Sequence, residues 1–331
     1  MSTSEATSNA VYVEGLTRSF GETKALVGLD LVVPESTVIG LIGPNGAGKT
    51  TAVRILSTLL EPDGGVAYVG GANVVEDPNA VRSMIALTGQ YAAVDENLTG
   101  RENLEMIARL TGWNKRGARL RADDILERFG LTDAANRTAG GYSGGMRRRL
   151  DLAASLVLAP RILFLDEPTT GLDPRSRNQL WEVIRGLVDE GTTLLLTTQY
   201  LEEADALAES LVIIDHGKAI ATGTPDELKA QVGGDVIEVT LADASRLGEA
   251  RALLEPLANG TIYIDERAAD IAVPVGEMQH AIAAAVRSLD DAGIRLVDVR
   301  RRRPSLDEVF LTYTGHAAVT EDDVEPVEEL A

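Results

Sequence analysis

The chain has 331 residues, 44% of them hydrophobic, and a formal net charge of −20. That length and apolar content suffice for a full core and more than one domain. The acidic balance argues against a surface built to grip nucleic acid or an anionic leaflet, and the absence of cysteine excludes disulfides and thiolate metal sites.

The opening "MSTSEATSNA" is small and polar, without the basic flank or apolar core of a signal peptide, and reads as a loose tail over residues 1–10. "AVYVEGLTRSFG" and "ALVGLDLVVP" follow as strands of an antiparallel edge sheet. "STVIGLIG", "RILFLDEP" and "GTTLLLTTQ" are continuous apolar runs, as expected of strands covered on both faces. Residues 100–137 are helix-rich, an insertion into an α/β core. After "QVGGD" the composition changes. "DVIEVTL" alternates as a half-buried strand, and Met278, Ile282, Val286 and Leu289 fall on one helical stripe. Ser305 and Glu308 have capping-box spacing. A separate small α+β domain is therefore expected over residues 233–314, followed by an acidic disordered tail over 315–331. No run approaches the roughly 20 apolar residues needed to cross a bilayer, so no direct membrane insertion is expected.

"GPNGAGKT", Gly43 to Thr50, follows a strand and opens a helix. Its glycines let the backbone wrap closely around phosphates with N–H groups aimed inward. Lys49 brings positive charge to the β- and γ-phosphates, and the Thr50 hydroxyl is placed to bind Mg2+. "RILFLDEP" ends in two carboxylates. Asp166 is placed to hold Mg2+, and Glu167 to polarise an attacking water as general base. In "YSGGMRRRLDLAASLVLAP", Ser143, Gly144 and Gly145 precede a helix whose N-terminus attracts anions.

These motifs, in this order, make the chain resemble the ATP-binding subunit of an ABC transporter over residues 11–231. The resemblance implies a P-loop NTPase core with an antiparallel β subdomain and a helical subdomain at about 91–150, the whole ABC domain spanning 11–232. It implies that Phe20 stacks on adenine, and that Gly43, Pro44, Asn45, Gly46, Ala47, Gly48, Lys49, Thr50 and Thr51 hold the nucleotide. Gln90 matches the family glutamine that reaches Mg2+ and links the site to the membrane subunit. Ser143 to Gly145 match the signature, with Tyr142 for its usual leucine and Met146 for its glutamine. Asp173 matches the loop that touches the opposite subunit. One motif set implies a second copy, arranged head to tail around ATP.

The family usually has a histidine where Gln199 stands in "LLLTTQYLEEADAL". The three histidines, His216, His280 and His316, lie elsewhere in the sequence. Glutamine keeps an N–H donor and an oxygen acceptor but cannot carry positive charge. With Glu167 as base, a neutral donor suffices; the alternative is an inactive switch. Together with "YSGGMRRRLDLA" and "RRPSLDEVFL", this stretch resembles the daunorubicin-resistance type of ATPase subunit. That resemblance implies a peripheral protein on the cytoplasmic face of the membrane. It would drive export of an amphiphilic drug, antibiotic or lipid through a separate permease. A soluble or regulatory ATPase without transport is the alternative, and import a third possibility. The Arg300–Arg303 run reads as a solvated strand end or an internal salt-bridge partner rather than a nucleic-acid patch.

Overall fold

The computed structural model describes residues 9–88, 94–232, 235–275, 278–302 and 304–315. They divide into two compact units, one through Ile220 and one from Ala221. In the first unit, β1 (Val11–Phe20) and β2 (Thr23–Val33) form an antiparallel hairpin, and β3 (Val38–Ile42) is buried at every residue. The glycine loop then opens α1 (Lys49–Leu56). β4 (Gly64–Val69) and β5 (Ala72–Asn73) complete a four-stranded sheet of order β2-β1-β4-β5. After α2 (Pro78–Met84), capped by Asp77, β6 (Ile85–Thr88) enters the larger sheet.

The inserted helices are α3 (Gly100–Leu110), α4 (Lys115–Arg128) and α5 (Gly144–Ser155). Thr99 and Glu102 form a complete capping box at the start of α3, satisfying N–H groups that a helix end leaves unpaired. β7 (Ile162–Asp166), α6 (Pro174–Asp189), β8 (Thr193–Thr198), α7 (Leu201–Leu207), β9 (Ser210–Asp215) and β10 (Lys218–Gly223) follow. The six-stranded sheet has order β10-β9-β3-β8-β7-β6, with β9, β3, β8, β7 and β6 in parallel register. A single apolar cluster joins both sheets across α1: Val11, Leu29, Leu41, Ile55, Phe164 and Leu195 all have no more than trace exposure. Burial of each such side chain contributes about 1.5–3 kcal/mol.

In the second unit, α8 (Pro225–Val232) precedes β11 (Asp235–Leu241). It is followed by α9 (Leu247–Leu254), β12 (Tyr263–Asp265), β13 (Asp270–Val275), α10 (Met278–Asp291), β14 (Leu296–Arg302) and α11 (Leu306–Thr314). The sheet is antiparallel, in order β12-β13-β11-β14. α8, which the sequence pattern attaches to the first domain, packs on α11 within this unit, where Tyr313 donates to Gln231 Oε1 at 2.6 Å. On α10 the buried line runs through Ala281, Ala285 and Leu289 with Ile282 beside it, whereas Val286 is 36% exposed. Alanines let a helix backbone come close to a sheet, which turns the buried stripe away from the one expected from large residues alone.

Arg300 and Arg302 of β14 are salt-bridge partners. Arg300 Nε and Arg302 Nε donate to the Glu238 carboxylate across the strand pair at 2.5 and 3.0 Å. Arg302 also grips Glu308, the buried N3 residue of the Ser305 capping box, at 2.8 and 2.9 Å. Burial pushes the Glu238 carboxyl up, but the two guanidiniums outweigh it and hold it below the usual range.

One carboxylate of the first unit is fully buried. Glu203, on α7, has its oxygens near the hydroxyls of Thr198 and Thr169 and the Trp181 indole N–H, yet none closes to a well-formed hydrogen bond. Desolvation pushes its pKa up from 4.5 to about 7, against the pull of Arg177. The folded chain thus holds this proton more tightly than the unfolded chain. Its contribution is intact below pH 4.5 and is lost as pH rises toward 7. Glu203→Gln, which cannot titrate, should therefore gain about 2 kcal/mol over wild type between pH 5.5 and pH 8. Urea unfolding at the two pH values measures the difference; equal differences would refute the assignment.

Candidate functional site

The parallel register sets the site. Ile42 of β3 pairs with Thr198 of β8, and Thr197 pairs with Asp166 of β7, so three strands end side by side. Residues just beyond them emerge at the carboxyl edge of the sheet, where α/β folds bind ligands. The loop from Gly43 to Gly48 leaves β3 there. A Cβ on Gly43 would meet Ile214 O at 2.2 Å, and one on Gly48, at φ +109°, would meet Ala25 O at 2.5 Å. Neither position accepts a side chain. The loop delivers the first turn of α1, with its unpaired N–H groups and positive dipole end, to the strand edge.

Lys49 is 5% exposed, and its Nζ donates to the carbonyls of Gly43 at 2.7 Å and Pro44 at 3.1 Å. Burial lowers its pKa, while the nearby Glu167 and Asp166 raise it. Thr50 donates to Asp166 Oδ1 at 3.3 Å, and the Thr197 hydroxyl donates to the same oxygen. Two hard oxygen ligands are thereby brought together beside the cleft that Thr50 lines, a donor set suited to Mg2+. Thr197 escaped the sequence analysis; its only signal is a second hydroxyl residue at the end of an otherwise apolar strand.

Glu167 has φ 49°, a left-handed conformation costly for any residue but glycine. Its N–H donates to Thr197 O at 3.0 Å. Asn45, Lys49, Thr50, Thr51, Glu167 and Gln199 line one cleft of ≈ 370 Å³, with Gly46, Ala47 and Gly48 along its wall. Gln199 reaches the Tyr200 hydroxyl, whereas its buried Oε1 finds no hydrogen-bond partner among the described residues. A buried amide atom left unpaired is costly, and such a group is ready to take up a polar ligand.

The signature residues sit apart from that cleft. Ser143 caps α5, its Oγ accepting from Met146 N at 3.3 Å. Gly144 lines a second cavity of ≈ 460 Å³ with Arg147, Arg148, Glu167 and the Thr170–Leu172 turn. Gly145 packs directly on α6, where a Cβ would lie 2.3 Å from Ser176 Oγ. Ser176 in turn donates to Asp173, the cap of α6, at 2.7 Å, which lowers the Asp173 pKa. Tyr142, in place of leucine, is buried and donates to Ala134 O at 2.8 Å, so the larger side chain ties the inserted helices together. Phe20 is 48% exposed at the end of β1, with the Arg18 guanidinium 5.1 Å from its ring centroid, and is not among the residues lining the cleft. Gln90 lies outside the described residues, as does His316. His216 is exposed in the β9–β10 turn, and His280 lies on α10 of the second unit, so position 199 has no histidine substitute on its own segment.

No helix among the described residues is long and apolar enough to cross a membrane. Residues 26–170 match the ABC transporter family profile, and residues 223–314 match the C-terminal domain of ATP-binding proteins of the DrrA1-3 type. The daunorubicin resistance ATP-binding protein DrrA2 of Streptomyces coeruleorubidus is 57% identical over 93% of this chain and 95% of its own length. The daunorubicin/doxorubicin resistance ATP-binding protein DrrA of Streptomyces peucetius is 49% identical over 97% of both chains. Among solved structures, an ATP-binding subunit of an ABC transporter superposes with a TM-score of 0.60 at 28% identity, over 67% of this chain and 92% of that one. The strand-edge loop, the paired carboxylates and this kinship agree: the chain belongs to the ATP-hydrolysing, ATP-binding subunits of ABC transporters, in the daunorubicin-resistance branch.

Proposed function

We propose that this ATPase powers efflux of an amphiphilic drug, antibiotic or lipid through a separately encoded permease, docked at the cytoplasmic face of the membrane. The observation that carries the reading is the convergence of Lys49, Thr50, Glu167 and Gln199 on one cleft in a chain so similar to drug-resistance ATPases. Two copies meet head to tail, and Ser143, Gly144 and Gly145 of each cap the ATP held by the other. Asp173 touches the opposite copy, Phe20 stacks on the adenine, and Gln90 links the site to the permease.

Within each site, the Gly43–Thr51 loop orients the triphosphate, and Lys49 exchanges its loop carbonyls for β- and γ-phosphate oxygens. Thr50 and Asp166, with Gln90 as the family resemblance implies, are the residues that would hold Mg2+. An ion held there would supply positive charge against the negative charge that develops on the phosphates during transfer. Glu167 accepts the proton of a water placed in line with the γ-phosphate, and the Gln199 amide donates to that phosphate. The buried setting strengthens each of these contacts because little water screens them.

The test is steady-state MgATP hydrolysis by the full chain with its permease. Glu167→Gln should lower kcat by about 100-fold or more, the range for losing a general base. Gln199→Ala should lower it by about 10-fold or more, as expected for a lost hydrogen bond to a charged group, whereas Gln199→His should stay within a few-fold of wild type. A silent wild type revived by Gln199→His would make the protein an ATP-gated switch and remove active export. Turnover unaffected by Glu167→Gln would end the assignment of the base.

A further inference from the structure

Arg148, the middle residue of the "RRR" run on α5, reaches away from its helix toward β7. Its Nε donates to Pro168 O at 2.7 Å and its Nη2 to Glu167 O at 3.1 Å. These two carbonyls follow directly on the left-handed backbone at Glu167. Only a planar guanidinium reaches two successive carbonyls with separate N–H groups in fixed directions. The side chain is half-buried; desolvation lowers its pKa, and Asp151 on its own helix, Glu203 on α7 and Asp166 on β7 oppose that shift only in part. It also lines the ≈ 460 Å³ cavity that joins Gly144 to Glu167.

We propose that Arg148 is a positioning residue for hydrolysis, clamping the strained backbone so that the Glu167 carboxylate is held toward the nucleotide cleft of its own chain. The inference rests on the assignment of Glu167 as base in the proposed function. A left-handed glutamate is costly and persists only where neighbours over-determine it; the Thr197 carbonyl holds its N–H from one side, and Arg148 holds its carbonyl from the other. The clamp starts from the helix that opens with Ser143–Gly145. A shift of α5 on engaging the partner copy's nucleotide would therefore pull on the base of the neighbouring site. Nucleotide capture in one site and proton abstraction in the other become mechanically linked.

Arg148→Met and Arg148→Lys test this in the full chain with its permease, read as kcat, KM for MgATP, binding of trinitrophenyl-ATP and thermal midpoint. Arg148→Met should lower kcat by about 10-fold or more and leave KM and trinitrophenyl-ATP affinity within about threefold, because ground-state binding is untouched. Arg148→Lys keeps the charge but not the fork, so it should recover only part of the loss. Added to Glu167→Gln, Arg148→Met should lower turnover no further, since both act through one carboxylate. The proposal falls if either variant keeps kcat within twofold of wild type, if nucleotide affinity drops in step with kcat, or if the two substitutions multiply. Should Arg148→Met fail to fold, Arg148→Lys alone decides by the same limits. A Glu167→Gln variant with wild-type turnover would instead remove the underlying assignment of the base.

Discussion

Three parallel strands ending at one level are the constraint on which the site depends. Because Ile42 pairs with Thr198 and Asp166 with the adjacent Thr197 through the β3–β8–β7 register, the phosphate loop, the Gln199 turn and the carboxylate pair emerge together. A slip of one residue in either pairing would turn Asp166 or Thr197 to the opposite face and part the hydroxyl–carboxylate contact between them. The apolar runs fix the register by burying β3, β7 and β8 on both faces. Hydrophobic packing thus sets the positions of groups whose own interactions are polar.

The electrostatics of the cleft are local and unlike those of the whole chain. A molecule of net charge −20 places a nearly buried lysine, Lys49, where triphosphate oxygens would lie; burial lowers its pKa, and Glu167 and Asp166 oppose that shift. Net charge reports on solubility and encounter, whereas binding here is set within a few ångströms. Local opposite charges also act at Arg148, where Asp151, Glu203 and Asp166 oppose the cost of burial in part, and in the second unit at Glu238, where two arginines outweigh it.

Much of this was legible in the sequence because it depends on local chemistry. A glycine loop between a strand and a helix, a strand ending in Asp166–Glu167 and the Ser305 capping box each carry their geometry in a short stretch. What was hidden depends on contacts between distant segments. Arg148 is indistinguishable from Arg147 and Arg149 in a basic run until α5 is seen against β7. Thr197 gains meaning only from its neighbour strand, and Glu203, one of two adjacent glutamates in "LEEADAL", differs from Glu202 by facing inward. The α10 stripe keeps Ile282 and Leu289 but not Val286, because periodicity weights large residues while the buried line also takes in Ala281 and Ala285.

The contact between Gly145 and Ser176 bears on how such a chain can vary over evolutionary time. With 2.3 Å available to a Cβ, position 145 is closed to every side chain, and enlarging Ser176 would press on the same backbone. The two turns therefore form one block of sequence space. Drift in the first helix turn after the signature is barred unless the start of α6 recedes, and α6 is anchored by its own buried residues Leu180, Trp181 and Ile184. Diversification toward new transported compounds has little room here, and selection is left to act on surfaces that meet other proteins.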